Sequence, residues 1–297
     1  VLFVTLNRPK ARNAMSLAML ADLESVFVAI EARRDVRTVV LRGADGNFCS
    51  GGDVKDMAGA RMQARTPERD PIFEVNRAFG RVIERVTGET YEGYVRRAVL
   101  AQMGITRMEI GHERPSDRPT DEAFYFPDRT DVFRPNLFTA EHELVSPADG
   151  GFFMRPMEAH GGFIASSVDY ARFLVHVDGE PNPTDILTDE ERASMLARPS
   201  APDARDAQDF YAHGFDVIPT RRGTIWSHTG AKPGTTSVAV RLPDDICYVI
   251  LVNARPLEGD FTEEIDVAVL DAIDAIETWP DTDLFPAFGL PPSAPER

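Results

Sequence analysis

Apolar positions recur at two different periods along this chain, and each period predicts a different kind of element. Val1 to Leu6 is rich in β-formers and alternates weakly, which predicts a strand broken by Asn7-Arg8-Pro9. Ser16 can then cap a helix whose Leu20, Leu23, Phe27 and Ile30 share one face. Arg37 to Arg42 is a second strand, short and apolar enough to be buried, and it runs into the turn-rich Gly43 to Asn47. Three- and four-residue steps return in Asp70 to Gly88, where Ile72, Val75, Phe79, Val82, Ile83 and Val86 form one stripe. Asp70 is its N-cap, Pro71 its first helical residue and Gly88 its left-handed stop. Thr90 to Met103 repeats the pattern, with Tyr91, Tyr94, Val95 and Val99 together and Gly104 at the end.

Residues 111–160 show neither period and are rich in Pro, Asp and Phe. A connection this long is functional or poorly ordered, and its aromatics pack as a satellite core or line a pocket. Ser166 and Asp169 then stand in capping-box spacing before another helix, so Ser166 and Ser167 read as caps rather than nucleophiles. Thr188 to Leu196 is a short helix. Beyond it the period becomes two. His213–Ile218, Thr224–Ser227, Thr235–Leu242 and Ile246–Asn253 predict antiparallel strands, the last two joined through Pro243-Asp244-Asp245. Phe261 to Trp279 closes the chain as a helix capped by Thr262.

Charge adds a division that hydropathy alone does not show. The formal charge of the 297 residues is -16, which disfavours nucleic acid and anionic membrane surfaces as partners. Residues 1–80 carry 12 Lys+Arg against 10 Asp+Glu, and the remainder carries 20 against 38. That shift suggests two units of different origin meeting in the helix at 70–88. Cys49 and Cys247 imply no disulfide framework and read as reduced core thiols. No apolar run is long enough to cross a bilayer. With no signal peptide in the text, a soluble, cytoplasmic protein is expected, its N-terminus trimmed because Val1 opens in mid-strand.

Chemistry concentrates in two places. Phe48-Cys49-Ser50-Gly51-Gly52-Asp53-Val54-Lys55 sets paired glycines between a strand and a helix start, where backbone can approach a ligand and amides can meet developing negative charge. A tight turn capped by Asp53 is the competing reading. Ser227-His228-Thr229-Gly230-Ala231-Lys232-Pro233-Gly234 lies between two predicted strands and reads, in isolation, as a turn. The six histidines (His112, His142, His160, His176, His213 and His228) show neither H-x-x-x-H nor H-x-H spacing, so no metal site is expected.

Taken in order, LNRPKARNAM, a helix, VVLRG and FCSGGDVKDM resemble the N-terminal part of the crotonase (enoyl-CoA hydratase/isomerase) superfamily over roughly residues 1–80. The resemblance implies that the Gly52 amide is one of two donors to a thioester oxyanion. It also implies that Lys10, Ala11, Arg12, Asn13 and Ala14 lie along CoA, and that Gly51, Gly52, Asp53, Val54 and Lys55 line the acyl-CoA site. The family's later G-G-G-x-E type turn, which brings the second donor and an acid, has no match: Gly150-Gly151 and Gly161-Gly162 are both followed by Phe.

The text from about residue 79 onward, with GGFIASSVDYARF and H-T-G opening a strand hairpin, resembles the serine β-lactamase-like family, which includes class C β-lactamases, D-alanyl-D-alanine carboxypeptidases and esterases. By that resemblance His228, Thr229 and Gly230 form the substrate-side strand motif, and the Ala231 amide is one oxyanion donor. The nucleophile's S-x-x-K is missing, since no serine has Lys three residues later. No tyrosine begins Y-x-N.

The expected fold is α/β: a crotonase-like β-α-β fragment over 1–79, joined to the helical and antiparallel-sheet parts of a β-lactamase-like fold over 80–297. The expected chemistry is a serine-hydrolase-like chain of little or no activity. It needs no cofactor, has a CoA thioester as ligand of its first segment, and has a small ester, amide or thioester as partner. Self-association is expected, because each sheet lacks strands. Two alternatives remain beside this reading. One is a crotonase-type hydratase/isomerase or acyl-CoA-binding protein. The other is a non-catalytic binding module using the aromatic loop at 124–153.

Overall fold

The computed structural model describes every residue except 32, 52, 54, 57–76, 78, 79, 82, 128–132, 140, 142, 200–207, 257–259 and 294–297. The chain opens with a β-α-β unit. Strand β1 (Leu2–Leu6) and β2 (Val39–Gly43) pair in parallel, Leu2 opposite Val39 and Leu6 opposite Gly43, with helix α1 (Leu17–Glu31) as the crossover. Ser16 caps α1 by accepting from the Met19 amide at 3.2 Å, as its position in the sequence predicts. Leu20 and Phe27 are buried, and Leu23 and Ile30 half-buried, on the expected face. β2 is half-buried rather than buried, and among the described residues β1 is the one strand paired with it. Leu6, Met15, Met19 and Leu20 form a small core between helix and strands.

Of the helix expected over Asp70–Gly88, residues 70–76, 78, 79 and 82 lie outside the described residues. Residues 83–87 are helical, and Gly88 stops them with φ +74°, its amide bonded to the Glu84 carbonyl at 2.8 Å. Arg85 reaches back to within 3.8 Å of Glu24 on α1. The next helix is shorter than its apolar stripe predicts. α2 spans Tyr91–Ala98 with Thr90 as cap, and at Val99 the backbone departs from helical geometry (φ -116°, ψ -66°) before a 3-10 turn over Leu100–Met103. That turn drives Leu100, Met103 and Ile105 into a second core, which outweighs one more turn of α-helix.

Residues 109–164 are mostly irregular, with short pairs β3 (Glu109–Ile110) to β6 (Phe163–Ile164) and β4 (Arg134–Pro135) to β5 (Leu144–Val145). Arg118 holds this region together. Its buried guanidinium donates to Asp149 at 2.9 Å and to the His112, Glu113 and Ala148 carbonyls, and lies 5.0 Å from the centre of the Tyr125 ring. Phe138 packs edge-on against Phe153, whereas Phe124, Phe126 and Phe133 are exposed.

Ser166 does cap the following helix, α3 (Ser167–Leu174), accepting from the Asp169 amide at 3.0 Å. The capping box does not close: the Asp169 carboxylate accepts from the Ser166 hydroxyl at 2.7 Å and from Arg107 at 3.1 Å instead. A full box forms at α4 (Asp189–Met195), between Thr188 and Glu191.

The main sheet has order β11-β10-β9-β8-β7, all antiparallel: β7 (Phe210–Tyr211), β8 (Asp216–Thr220), β9 (Gly223–Lys232), β10 (Thr235–Arg241) and β11 (Cys247–Val252). β9 is more than twice as long as predicted, so His228-Thr229-Gly230-Ala231 belongs to the strand rather than to a turn. The turn is Pro233-Gly234, with Gly234 at φ +74°. α3 covers one sheet face, where Leu174, Val177, Phe215, Val217, Trp226 and Ala239 form the largest core; the Phe215 and Trp226 rings meet edge-on at 4.6 Å. The last helix, α5 (Phe261–Asp274), lies on the other face. It ends five residues before Trp279, and its cap is Asp260, which accepts from the Glu263 amide at 3.2 Å, rather than Thr262.

No strand among the described residues pairs with the outer edge of β11, whose sequence is CYVILV, nor with the outer edges of β1 and β2. Leu251 on that edge, Phe3 on β1 (57% exposed) and Val267 on α5 are open to water, and α5 buries no residue fully. Strand edges left open beside apolar surface bind apolar probes. Anilinonaphthalene sulfonate is therefore expected to fluoresce with the protein in native buffer. A dye-silent protein with one sharp unfolding transition would show that these faces are covered.

Candidate functional site

The first candidate region is built by two loops 38 residues apart in sequence. Lys10 and Ala11 sit in a 3-10 turn (Pro9–Ala11), and Arg12 and Asn13 follow with left-handed φ of 49° and 55°. Asn is among the few side chains that tolerate this conformation, because its amide bonds locally. Here Asn13 is fully buried and does more: Oδ1 accepts from the Arg8 amide at 2.9 Å, and Nδ2 donates to the carbonyls of Ala44 (2.9 Å) and Asn47 (2.6 Å). Gly43 is required beside it, since a Cβ there would stand 1.7 Å from the Asn47 carbonyl oxygen. The second loop is laced to the first by backbone bonds: Ser50 amide to Arg12 carbonyl (3.1 Å), Met15 amide to Gly51 carbonyl (2.8 Å) and Asp53 amide to Met15 carbonyl (2.9 Å).

The structure thus brings Lys10, Ala11, Arg12, Gly51, Asp53 and Lys55 together, with Lys10, Arg12 and Lys55 exposed as a basic rim. Gly52, the expected oxyanion donor, and Val54 lie outside the described residues. The Gly51 amide is turned to the Cys49 sulfur at 3.4 Å. Asp53 follows its capping reading, accepting from the Lys55 amide at 3.0 Å; Arg8 Nη2 at 2.8 Å holds its carboxyl below the usual carboxylate range.

The second region is the far end of β9. Alternation sends His228 and Gly230 to the α3 face, and Ser227, Thr229 and Ala231 to the α5 face. Ser227 and Thr229 line a cavity of about 230 Å³ there, with Asp260, Thr262, Glu263 and Asp266. Ser227 and His228 therefore cannot act as a pair, as their adjacency on a strand predicts. His228 meets Phe215 edge-on, and its Nδ1 lies 3.5 Å from the Tyr211 hydroxyl. Burial raises both the Tyr211 phenol and the Asp216 carboxyl beside this group. β8 pairs with β9 only as far as Ser227, so residues 228–232 keep one strand edge without a β8 partner.

Sequence reasoning missed Tyr211 and Ser237. Ser237 stands opposite Gly230 in the β9–β10 register, on the His228 face, and its hydroxyl occupies room that a Gly230 Cβ would take, at 2.5 Å. Extending the alternation through H-T-G and pairing it across Pro233-Gly234 would have found it. No serine hydroxyl hydrogen-bonds His228 among the described residues. The larger cavity, of about 560 Å³, lies between α3, β11 and the C-terminal segment. It is lined by Ser167, Val168, Cys247, Val249, Phe285 and Phe288, remote from both regions. Among the described residues no three His, Cys, Asp or Glu side chains cluster to hold a metal.

Asn13→Ala would strand buried donors and acceptors in the first region, and leave Ala at a φ it resists. A loss of about 2–3 kcal/mol in urea unfolding is expected. An unchanged midpoint would mean the loops are not held by this side chain.

Comparison with known proteins follows the same division. The Beta-lactamase family matches residues 73–272, and the Enoyl-CoA hydratase/isomerase family residues 1–81. A putative enoyl-CoA hydratase of Mycobacterium tuberculosis is 39% identical over 83 residues, covering 28% of this chain and 26% of that protein. A mitochondrial Delta(3,5)-Delta(2,4)-dienoyl-CoA isomerase of Mus musculus is 48% identical over 63 residues, 21% of this chain and 19% of that protein. The chain thus spans only about a fifth to a quarter of the length of these relatives. A D-amino acid amidase of Ochrobactrum anthropi shares the fold at 18% identity and TM-score 0.51, over 71% of this chain and 64% of its own. With two thirds of its length matched, the chain belongs to the β-lactamase family, and its residues 1–81 are similar to the N-terminal part of the enoyl-CoA hydratase/isomerase family.

Proposed function

We propose that this chain is a catalytically incomplete serine-hydrolase-type protein, joined near residues 79–80 to a partial acyl-CoA-binding segment. The carrying observation is a β9 that presents His228, Thr229, Gly230 and Ala231 while no serine is followed by Lys at the third position. Acyl transfer to serine needs a hydroxyl, a base and oxyanion donors acting together. Removing the activating pair leaves at best residual electrostatic assistance, because such residues are not additive. The overlap of the two family matches at residues 73–81 supports the position of the join. The β11 edge, which no strand among the described residues pairs, supports self-association as the resting state. The expected outcome is no serine labelling by a fluorophosphonate and no nitrocefin turnover above a boiled control. Stoichiometric labelling mapped by mass spectrometry to one serine, Ser237 included, would overturn this reading.

The basic rim of Lys10, Arg12 and Lys55 favours a second activity class for the first segment, weak binding of CoA thioester phosphates. One predicted amide donor at Gly52, without a second donor or an acid, does not suffice for hydration. Crotonyl-CoA is expected to show no loss of enoyl absorbance, with binding by calorimetry weak or undetectable. Turnover that Gly52→Pro abolishes would show a working thioester site.

A further inference from the structure

β11 (Cys247–Val252) is the outer strand of the main sheet, and none of its residues is buried although α3 and α5 lie on its two faces. Backbone bonds alternate along an antiparallel pair, and the Leu242 amide donates to the Ile246 carbonyl at 2.8 Å. That bond sets the parity. Tyr248, Ile250 and Val252 bond to β10, and Cys247, Val249 and Leu251 turn their N–H and C=O groups outward. The Asn253 carbonyl also faces outward, where it accepts from the Phe126 amide at 2.9 Å. The segment around Phe126 thus closes the edge beyond Leu251 and leaves the outward groups before it without a strand partner among the described residues.

The cavity of about 560 Å³ opens beside this edge, with Cys247 and Val249 in its lining together with Val168 of α3 and Phe285 of the C-terminal segment. A strand added to β11 places every second side chain on the α3 face, over that cavity, and the others on the α5 face. Charge around the edge has one sign. Residues 260–293, which include α5 and the C-terminal segment, hold nine Asp and Glu and no Lys, Arg or His. Asp283 lines the cavity, and on the other face Asp266 of α5 accepts from the Tyr248 hydroxyl at 2.5 Å. A second copy paired antiparallel at this edge, about a two-fold axis, brings two acidic helices to the same face.

We propose that the β11 edge docks an extended peptide in which apolar and basic residues alternate. Its backbone pairs with Cys247, Val249 and Leu251, its apolar side chains enter the cavity beside α3, and its basic side chains meet the carboxylates on the α5 side. Such a peptide displaces a second copy from this edge, because it brings positive charge where the copy brings more carboxylates.

The test uses the whole chain and a fluorescein-labelled heptapeptide of alternating Val and Lys, with alternating Val and Glu as the control. Fluorescence anisotropy at low ionic strength is expected to show saturable binding of the Val-Lys peptide, roughly tenfold or more tighter than the control. Hydrogen exchange followed by mass spectrometry should slow across residues 247–252 when that peptide is bound, and stay unchanged in β8 and β9. Leu251→Pro removes an outward N–H and no β10 bond, and should weaken binding by roughly tenfold. No saturable binding, equal binding of the two peptides, or binding that leaves exchange across 247–252 unchanged overturns the proposal. Slow exchange there that tracks protein concentration and resists the peptide identifies a second copy as the occupant, and overturns it too. None of these readouts depends on serine or thioester chemistry, so this proposal and the proposed function fail separately.

Discussion

A β-sheet is stable in water only when its edge groups are paired or solvated and its apolar faces are covered. Much of this molecule follows from how its main sheet and its N-terminal strand pair meet that demand. The main sheet has a well-made interior: Trp226, Val217, Ala239 and Leu174 close one face, and β9 and β10 run in continuous register from Trp226–Arg241 to Lys232–Thr235. Its margin is less complete, because β11 carries six uncharged residues along an outer edge that no described strand pairs. The N-terminal unit is smaller still. Two parallel strands under one helix bury four core side chains, and parallel pairs ordinarily need both faces covered.

Local signals in the sequence were strong enough to locate most elements, because caps and periodicity act over a few residues. Ser16 and Gly88 do what their type and position predict, and Thr90 and Thr188 cap helices predicted to begin at them. The departures arise where a distant group competes. Asp169 leaves the capping box open, its Oδ2 shared by the Ser166 hydroxyl and Arg107, and at Val99 the helix gives way to a 3-10 turn that places Leu100 and Met103 in a core with Ile105. Asp260 displaced Thr262 as cap by a two-residue shift that periodicity does not resolve. The length of β9 was hidden by Gly230 and Pro233-Gly234, which read locally as one long turn. In three dimensions Gly230 is a strand residue that makes room for Ser237.

The candidate sites were legible as motifs and not as geometry. The loop at Lys10–Ala14 lies beside Gly51 and Asp53, and nothing in the text showed that Asn13 would be buried among these turns. H-T-G was expected by resemblance to be a strand motif beside the substrate, and its residues do lie in β9. Only the strand's alternation shows that Thr229 and His228 serve opposite faces, and only tertiary packing brings Tyr211 to His228.

No serine here has Lys three residues later, and among the described residues none hydrogen-bonds His228, which limits what the remaining groups can do. In a complete site of this type, a base next to the nucleophile would consume its reactivity in one coupled unit. Here His228 is engaged by aromatic neighbours and a phenol, Asp53 by Arg8, and the Gly51 amide by a sulfur. Each is a group whose polar capacity is already committed to local structure. Lys232 is the contrasting case, since its acceptors are a carbonyl and a thioether and neither stabilises positive charge as a carboxylate would. The scarcity of lysine, three residues against 29 arginines, also bears on the fold. Arginine stays charged when buried and forks to several carbonyls at once, as Arg118 and Arg172 do in the irregular region and beneath the C-terminal segment. A lysine in a comparable half-buried place has no such fork, and burial lowers the pH at which it gives up its proton.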